Sequence, residues 1–534
     1  MQRMATVRDV TYELLRELEM TTVFGNPGST EEPFLQEFPS DFCYVLALQE
    51  ASAVAMADGY AQVTGRPAHV NLHTAPGTGN GMGNLATAWH NKTPLIVTAG
   101  QQTREMLLIE PRLTALRAPE LAQPYVKWSY EPARAQDIPG ALMRAYAAAV
   151  QPPGGPVFLS LPYDDWQQEA VGGPVVRRVS TRIGADPGRL AEFAEMLTGS
   201  RTPVLVTGPA VDRAGGWPAA VALAERLRAP VWSAPAPERA GFPEDHPQYQ
   251  GVLPFAIGPL TDKLKGHDTI LVIGAPVFRY YPYVPGDYLP SGARLLHVTD
   301  DPAEAARAPV GDSLLGDAAL VCAALAELLP VSDRPAPPVR PAAEPPEPGT
   351  PMSPDCLFAT LGRHWPDDGV LVQETPSNLA ALRRRLPVTR PMSYFTMASG
   401  GLGFGLPAAV GIALGERHTG RQRPVVAVIG DGSFQYSVQA LWTAAQQRLP
   451  VVFVVPVNRQ YAILKSFAEH KHASGVPGLD LPGLDIPTIA RGFGCESAVV
   501  ESADALAVSL AAALRAQGPT VLAVPITSDV PPIL

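Results

Sequence analysis

A glycine-rich turn between two apolar strands is the part of the sequence with the clearest chemistry. The strand predicted over 425–429 ends in Gly430-Asp431-Gly432-Ser433, and the next apolar run, over 451–455, is followed by Asn458. A crossover of this length makes the two strands parallel neighbours, so that Asp431 and Asn458 lie at the same edge of one sheet. Carboxylate and amide oxygens are hard ligands that suit Mg²⁺. The segment therefore predicts a metal ion that also holds a phosphate group.

The glycines and the serine of this turn fit the same phosphate. Gly430 and Gly432 let the backbone approach it closely. Ser433 precedes a helix predicted over 435–447, whose first N–H groups favour an anion. The alternative is an ordinary strand-to-helix turn, because Gly-Asp-Gly is a common sequence, but the paired Asn458 favours the metal site.

Three further polar residues follow predicted strands in the first third of the chain. Glu50 begins an apolar helix among small and apolar neighbours, so we expect its carboxyl to have a raised pKa and to exchange protons near neutral pH. His73 follows the strand predicted over 68–72, and Ser29 lies in the loop after the strand predicted over 21–25. Each also has a structural alternative: Glu50 complements a helix dipole, Ser29 caps a helix, and His73 is a structural histidine.

Two glycine-rich stretches do not fit a nucleotide-binding turn. The runs over 77–83 and 400–405 both lack the last glycine of G-x-G-x-x-G, and the chain contains no G-x-x-x-x-G-K-[ST]. A nucleoside triphosphatase therefore has no support in the sequence.

The elements that must position these residues alternate between short apolar strands and helices. This pattern predicts an α/β fold of three doubly wound parallel-sheet domains. We expect an N-terminal domain over 1–170, a middle domain over 185–330, a Pro-rich linker over 331–354 and a C-terminal domain over 355–534.

Composition narrows the class of protein further. The 534 residues include 41 Lys and Arg against 51 Asp and Glu, a net charge of −10 that argues against nucleic acid or an anionic membrane as partner. No apolar run is long enough to span a bilayer, and the N-terminus has no signal-peptide core. The four cysteines lie far apart, without a metal-ligand or disulfide pattern. We expect a soluble, cytoplasmic protein.

The turn with Asn458, taken together with Glu50, resembles the thiamine-diphosphate-dependent decarboxylase superfamily. Longer stretches extend the resemblance over nearly the whole chain and are most similar to the benzoylformate decarboxylase branch. They include Val23-Phe-Gly-Asn-Pro-Gly-Ser29, Leu46-Ala-Leu-Gln-Glu50-Ala, Asn71-Leu-His73 and Gly400-Gly-Leu-Gly-Phe404. The resemblance implies thiamine diphosphate and Mg²⁺ as cofactors, a small 2-keto acid as substrate, and a homo-oligomer that is at least a dimer and expected to be a tetramer.

The resemblance also implies a role for each matching position. Glu50 would hydrogen-bond the aminopyrimidine ring, Leu402 would hold the cofactor bent, and the Gly400 carbonyl would lie near the pyrimidine amine. The metal ligands would be Asp431, Asn458 and the backbone carbonyl of Gln460, and the diphosphate would lie at Ser377, Gly432, Ser433 and Tyr461. Ser29 would contact the substrate carboxylate, His73 would transfer protons, and Tyr281, Ile463 and Phe467 would line the substrate pocket.

Several positions depart from the family pattern. Tyr281 stands where the family has a second catalytic histidine, Val457 replaces the first Asn of an Asn-Asn pair, and Pro376 replaces a threonine beside Ser377. Ile463 stands where the benzoylformate enzymes carry alanine, which predicts a narrower pocket. One hypothesis is that His470, two turns along the pocket helix from Ile463, takes over part of the missing proton relay; the alternative is a solvated surface histidine.

The sequence therefore predicts non-oxidative decarboxylation of an aromatic 2-keto acid to an aldehyde and CO₂, with carboligation as a side activity. Two alternatives remain open. The first is a carboligase or aldehyde lyase of the same superfamily, and the second is a dinucleotide-binding oxidoreductase or a non-catalytic relative.

Overall fold

Three six-stranded parallel sheets form the frame of the computed structural model, which describes residues 4–533. Helices cover both faces of each sheet, and the central strands are buried almost throughout, because side chains pack on them from both sides. The predicted fold class, three doubly wound α/β domains, is confirmed.

The first sheet has the strand order β2-β1-β3-β4-β6-β5. Its strands are β1 (Thr22–Gly25), β2 (Cys43–Leu46), β3 (Ala68–Leu72), β4 (Leu95–Gln101), β5 (Ser129–Tyr130) and β6 (Val157–Pro162). The helices of this domain are α1 (Val7–Glu17), α2 (Glu32–Leu35), α3 (Glu50–Thr64), α4 (Thr74–Asn91) and α5 (Ile138–Val150).

The middle sheet has the order β12-β11-β10-β7-β8-β9, which is the arrangement of dinucleotide-binding folds. Its strands are β7 (Pro203–Thr207), β8 (Val231–Ser233), β9 (Tyr249–Val252), β10 (Thr269–Ile273), β11 (Arg294–Thr299) and β12 (Asp312–Leu315). Its helices are α6 (Pro187–Thr198), α7 (Pro209–Arg213), α8 (Trp217–Leu227), α9 (Ile257–Lys263), α10 (Pro302–Arg307) and α11 (Ala318–Leu328). Residues 331–353 then contain neither a helix nor a strand.

The last sheet has the order β14-β13-β15-β16-β18-β17. Its strands are β13 (Val370–Glu374), β14 (Tyr394–Phe395), β15 (Val425–Ile429), β16 (Val451–Val457), β17 (Glu496–Val499) and β18 (Thr520–Pro525). Its helices are α12 (Pro354–Arg363), α13 (Leu379–Arg385), α14 (Gly405–His418), α15 (Asp431–Phe434), α16 (Ala440–Gln446), α17 (Ala462–His470), α18 (Ile486–Gly492) and α19 (Ala503–Ala513).

The first and last sheets share one topology, and it places their functional loops at equivalent points. In both, chain connections run in opposite directions from the first and third strands, which creates a crevice at the carboxyl ends of those strands. Ser29 follows β1 and His73 follows β3 in the first domain, whereas Ser377 follows β13 and Asp431 follows β15 in the last. The two domains thus each present a crevice of the kind that binds ligands.

Helices α3 and α14 join these two domains at unusually close range. A Cβ atom built on Gly59 would lie 2.4 Å from the Ala408 carbonyl oxygen, and one built on Gly411 would lie 1.8 Å from the Met56 carbonyl oxygen. Glycine at these two positions therefore lets the helix backbones touch. The contact fixes the start of α3, at Glu50, relative to the loop that precedes α14.

One predicted helix is different in the structure. The prediction over 435–447 is replaced by the short α15, an irregular turn and then α16, which begins at Ala440. The turn is explained by Ser437, whose hydroxyl donates to the Gly403 carbonyl 2.7 Å away instead of facing outward from a continuous helix.

None of the helices found within residues 4–533 is long and apolar enough to cross a membrane.

Candidate active site

A cavity of about 2190 Å³ lies where the three domains meet, and we call it the central cavity. The residues predicted to bind the metal and the diphosphate line it, as do some of those predicted for the substrate. They are Tyr281, Ser377, Gly400, Leu402, Asp431, Gly432, Ser433, Asn458, Gln460, Tyr461, Ile463 and Phe467.

Asp431 and Asn458 lie at the carboxyl ends of the neighbouring parallel strands β15 and β16. Their exposed fractions are only 3% and 6%. The Asp431 carboxylate accepts the N–H groups of Gly432 (2.9 Å) and Arg459 (2.7 Å), and Asn458 Oδ1 accepts the N–H of Gln460 (3.1 Å). Burial raises the pKa of Asp431, while these backbone donors act to lower it. Backbone N–H groups thus hold the oxygens of both candidate ligands.

The donor set at this end of the central cavity fits Mg²⁺. The Gln460 side chain is engaged elsewhere, because its Nε2 donates to the Ser528 carbonyl (2.6 Å) and its Oε1 accepts Lys465 Nζ (2.5 Å). Gln460 therefore offers its backbone rather than its amide. No group of three or more His, Cys, Asp and Glu that could hold a metal occurs within residues 4–533. A single carboxylate with neutral oxygens suits Mg²⁺, which keeps several waters or phosphate oxygens as further ligands.

The glycine turn is covered by the Tyr461 ring. A Cβ atom on Gly432 would lie 2.4 Å from Tyr461 Cε1, so a side chain there would displace the ring. Ser433 is buried in the first turn of α15. Across the cavity, the Ser377 hydroxyl accepts the N–H of Ile463 at 3.0 Å. This bond ties the predicted diphosphate site to the helix that carries the predicted pocket residues.

The loop with Gly400 and Leu402 is held from behind by Glu374, the last residue of β13. The Glu374 carboxylate accepts the N–H groups of Gly403 (2.7 Å), Phe404 (2.9 Å) and Gly405 (2.5 Å) at the start of α14. Burial raises the pKa of Glu374 to about 7 against the effect of these donors. Sequence reasoning missed this residue. The clue to Glu374 in the sequence was an acidic residue at the end of an apolar run, the same pattern that indicated Asp431.

Glu50 begins α3 at the carboxyl end of the first sheet and is 8% exposed. Its carboxylate accepts the side-chain amides of Asn26 (3.3 Å) and Asn80 (3.0 Å). The surroundings of the Glu50 carboxylate are therefore more polar than its sequence neighbours indicate, because two side-chain amides reach it. Gly77 packs between Glu50 and His73: a Cβ there would lie 3.5 Å from Glu50 Cγ and 3.3 Å from His73 Cβ.

His73 precedes α4 and contacts a second carboxylate that sequence reasoning missed. Its Nδ1 lies 2.9 Å from Glu31 Oε2, and this hydrogen bond raises the pKa of His73. Because a carboxylate only accepts, Nδ1 carries the proton and Nε2 is the nitrogen left to exchange protons. Glu31 is 1% exposed and also accepts the N–H groups of Gly28 and Gly100. The clue to Glu31 in the sequence was its position, two residues after the candidate residue Ser29.

Ser29 is exposed at the surface of the same crevice. Of the residues that the structure describes, those lining the central cavity do not include Ser29, Glu50 or His73. One chain therefore presents two separate half-sites. The first holds Ser29, Glu50 and His73, and the second is the central cavity with Asp431 and Asn458.

The predicted substrate pocket is accordingly only partly assembled in one chain. Tyr281 and Phe467 are in contact, with ring centroids 5.0 Å apart, and Ile463 lines the same region of the central cavity. The Tyr281 side chain is 61% exposed. Helix α17 ends at His470, which is not among the described residues that line the cavity. The geometry thus favours a surface role for His470 over a proton relay.

Comparison with protein-family models matches the chain in three parts. The N-terminal TPP binding domain of thiamine pyrophosphate enzymes matches residues 5–117, the central domain matches 190–325, and the C-terminal TPP binding domain matches 377–524. The first half-site falls in the first of these regions, and Asp431 and Asn458 of the second fall in the last.

Individual relatives are similar over almost their whole length. Benzoylformate decarboxylase of Pseudomonas aeruginosa is 50% identical over 528 residues, which cover 98% of this chain and 99% of that protein. The crystal structure of benzoylformate decarboxylase from Polynucleobacter necessarius is 52% identical with a TM-score of 0.98, covering 99% of this chain and 100% of that one. A thiamine diphosphate-dependent 4-hydroxybenzoylformate decarboxylase of Rhodococcus jostii RHA1 is 44% identical with a TM-score of 0.95, at the same coverage.

Proposed function

The chain belongs to the thiamine pyrophosphate enzyme family, and on that premise we propose that it decarboxylates an aromatic 2-keto acid to the aldehyde and CO₂. The observation that carries the proposal is the wall of the central cavity, where Asp431 and Asn458 face the same space as Leu402. The names of the similar proteins support an aryl 2-keto acid such as benzoylformate as the substrate class.

Thiamine diphosphate, when bound, supplies the electron sink for loss of CO₂. The residues of this chain bind and orient it. In our proposal Asp431, Asn458 and the Gln460 carbonyl hold Mg²⁺, and Ser377, Gly432, Ser433 and Tyr461 surround the diphosphate. Gly400 and Leu402 set the position of the rings. The rigid backbone bonds to both side-chain metal ligands support this arrangement, because they fix the oxygens before the ion arrives.

Glu50 and His73 are the proton-exchanging groups in this proposal. Glu50 would bind the pyrimidine ring of the cofactor and exchange a proton with it. Asn26 and Asn80 orient the Glu50 carboxylate. His73 Nε2 handles the proton of the substrate-derived group, because Glu31 occupies Nδ1. Ser29 contacts the substrate carboxylate from the exposed rim of the same crevice.

A second copy of the chain completes the site. The half-site with Glu50 and the central cavity are separate in one chain, so we propose a dimer in which each cavity receives the Glu50 half-site of the partner, with a tetramer as the expected assembly. Exposed apolar side chains in the loop after β4 support such an interface. They include Leu108, Ile109 and Leu116.

We propose carboligation as a side activity of the same site. Tyr281 stands where the family has a histidine, so this position lacks the imidazole that exchanges protons readily at neutral pH. Release of CO₂ and formation of acyloin, measured together from benzoylformate and added benzaldehyde, give the ratio of the two reactions.

Replacement of Glu50 by glutamine tests the proposal. Glu50→Gln keeps the size of the side chain but removes the exchangeable proton, so kcat for CO₂ release from benzoylformate should fall about 100- to 1,000-fold. Steady-state assays with Mg²⁺ and thiamine diphosphate present measure it.

Asp504→Asn is the matched control, because Asp504 is an exposed carboxylate in the first turn of α19. It tests the alternative in which Glu50 only complements a helix dipole. Full activity of Glu50→Gln would refute the proposed function, and so would an equal loss in both variants.

A further inference from the structure

Helix α4 carries a row of four polar side chains along one face. Asn80, Asn84, Thr87 and Asn91 are spaced by four, three and four residues, which aligns them along the helix. We call them the α4 polar row. Asn80 contacts Glu50, whereas the other three contact the C-terminal domain of the same chain.

The contacts to the C-terminal domain all fall on the loop that carries Gly400 and Leu402. Asn91 Oδ1 accepts the N–H of Ala398 at 2.9 Å, and Thr87 Oγ1 lies 2.9 Å from Ser399 Oγ. Asn84 Nδ2 donates to the Gly403 carbonyl at 3.1 Å. One helix of the N-terminal domain thus ties down both ends of the loop.

Asn84 makes the contact nearest to Leu402. Its amide, in a side chain that is 5% exposed, donates to the carbonyls of Ala51 (2.9 Å) and Gly403 (3.1 Å). The same Gly403 carbonyl accepts the Ser437 hydroxyl at 2.7 Å, and the Gly403 N–H donates to Glu374 at 2.7 Å. The N–H and the carbonyl of Gly403, the residue that follows Leu402, are therefore both held by side chains.

The backbone at this point requires such support. Gly403 has a φ of +101°, a conformation open to glycine but not to other residues without strain. A glycine in this region has other conformations within easy reach, so the loop keeps one shape only if its polar groups are fixed. Leu402, the neighbouring residue, takes its position from that shape.

We infer that Asn84 is a positioning residue, which sets how far Leu402 enters the central cavity by holding the Gly403 carbonyl against the start of α3. The inference rests on the proposed function, since it gives Leu402 its role toward the cofactor. Asn84 itself touches neither the cavity nor the predicted metal ligands.

Hydrogen exchange of backbone amides in the cofactor-free, full-length chain tests the structural part. In Asn84→Ala, peptides covering 398–405 should exchange about tenfold faster, because a buried carbonyl loses a donor and the loop opens more often. Asn84→Asp keeps the size but cannot donate, and should do the same. Thr78→Ala is the control, since Thr78 is buried on the same helix and its hydroxyl bonds only within α4.

Steady-state kinetics of the Asn84 variants, with Mg²⁺ and thiamine diphosphate bound, test the effect on catalysis. Misplacement of Leu402 should lower kcat about 10- to 100-fold with KM within about twofold, because the cofactor and not the substrate is displaced. A purely structural role would instead lower the melting temperature without this split between kcat and KM.

The outcomes separate this inference from the proposed function. Wild-type exchange over 398–405 in the Asn84 variants, or an unchanged kcat despite faster exchange, would overturn the inference while Glu50→Gln remains inactive. If neither Asn84 variant folds, Asn84 is needed for the fold itself and the inference is also overturned. Full activity of Glu50→Gln in the parallel assay would remove the proposed function instead.

Discussion

At the scale of single residues, the hydrogen bond between His73 and Glu31 decides which ring nitrogen of His73 carries the proton. Glu31 is buried beneath the crevice and accepts three further donors, from Gly28, Thr30 and Gly100. A carboxylate fixed in this way stabilises protonated imidazole, and it raises the pKa of His73. A Cβ on Gly28 would lie 2.1 Å from His73 Nδ1, so only glycine leaves room for this geometry.

Replacing Glu31 should therefore shift the titration of His73 to lower pH. Glu31→Gln removes the charge that favours the protonated ring, so the pKa of His73 falls and the limb of the pH–rate profile that reports it moves with it. Folding raises the pKa of His73, so the His73–Glu31 pair stabilises the folded state at low pH. This stabilisation is lost as the pH rises through the pKa that His73 has in the folded state. NMR titration of the His73 Cε1 proton, assigned with His73→Ala, measures the shift. An unchanged midpoint would contradict the role given to Glu31.

At the scale of elements, the parallel pair β15–β16 carries the proposed metal site. Asp431→Ala removes its only carboxylate, so Mg²⁺-dependent affinity for thiamine diphosphate should weaken about 100-fold or more. Calorimetric titration with and without Mg²⁺ measures this. Asp480→Ala is the control, because Asp480 lies near the same loop but its side chain is 76% exposed and forms an ion pair with Lys465. Equal affinity in the two variants would rule out the metal role.

The strands also show which elements could be predicted from sequence. The central strands are continuous apolar runs buried on both faces, and β3 and β15 match their predicted bounds. The strands without a long apolar run are β5, β9, β12, β14 and β17, and every one lies at the edge of a sheet. Edge strands are short or half-exposed, so their sequences carry no continuous apolar run. The residues of β17 show this, since most of them are exposed.

The candidate site divides in a similar way. Asp431 and Asn458 could be predicted because a single crossover fixes their relation along the sequence. The partners of Glu31 and Glu374 could not be predicted, because these backbone amides come near the carboxylates only in the folded chain. Gly100 is 69 residues from Glu31, and Gly403 is 29 residues from Glu374.

At the scale of the whole molecule, the separation of the two half-sites supports the proposed dimer. Leu108 and Ile109 are 93% and 72% exposed in the loop that follows β4, at the same carboxyl edge of the first sheet as Ser29 and His73. Apolar side chains clustered at the edge of a functional crevice favour burial against another copy. A two-fold dimer would bury the same loop in both chains.

Complementation between two inactive variants tests this arrangement directly. Glu50→Gln disables the first half-site and Asp431→Ala disables the second, so each homodimer should be inactive. In a mixed dimer built as proposed, one site carries both changes and the other carries neither. Co-expression at equal levels should therefore restore about a quarter of wild-type activity, since half of the dimers are mixed and each has one intact site.

The control is co-expression of Glu50→Gln with a chain that carries both changes, which leaves no site intact and should restore nothing. If the first pair also restores nothing although both chains co-purify, each active site lies within a single chain and the proposed dimer is wrong.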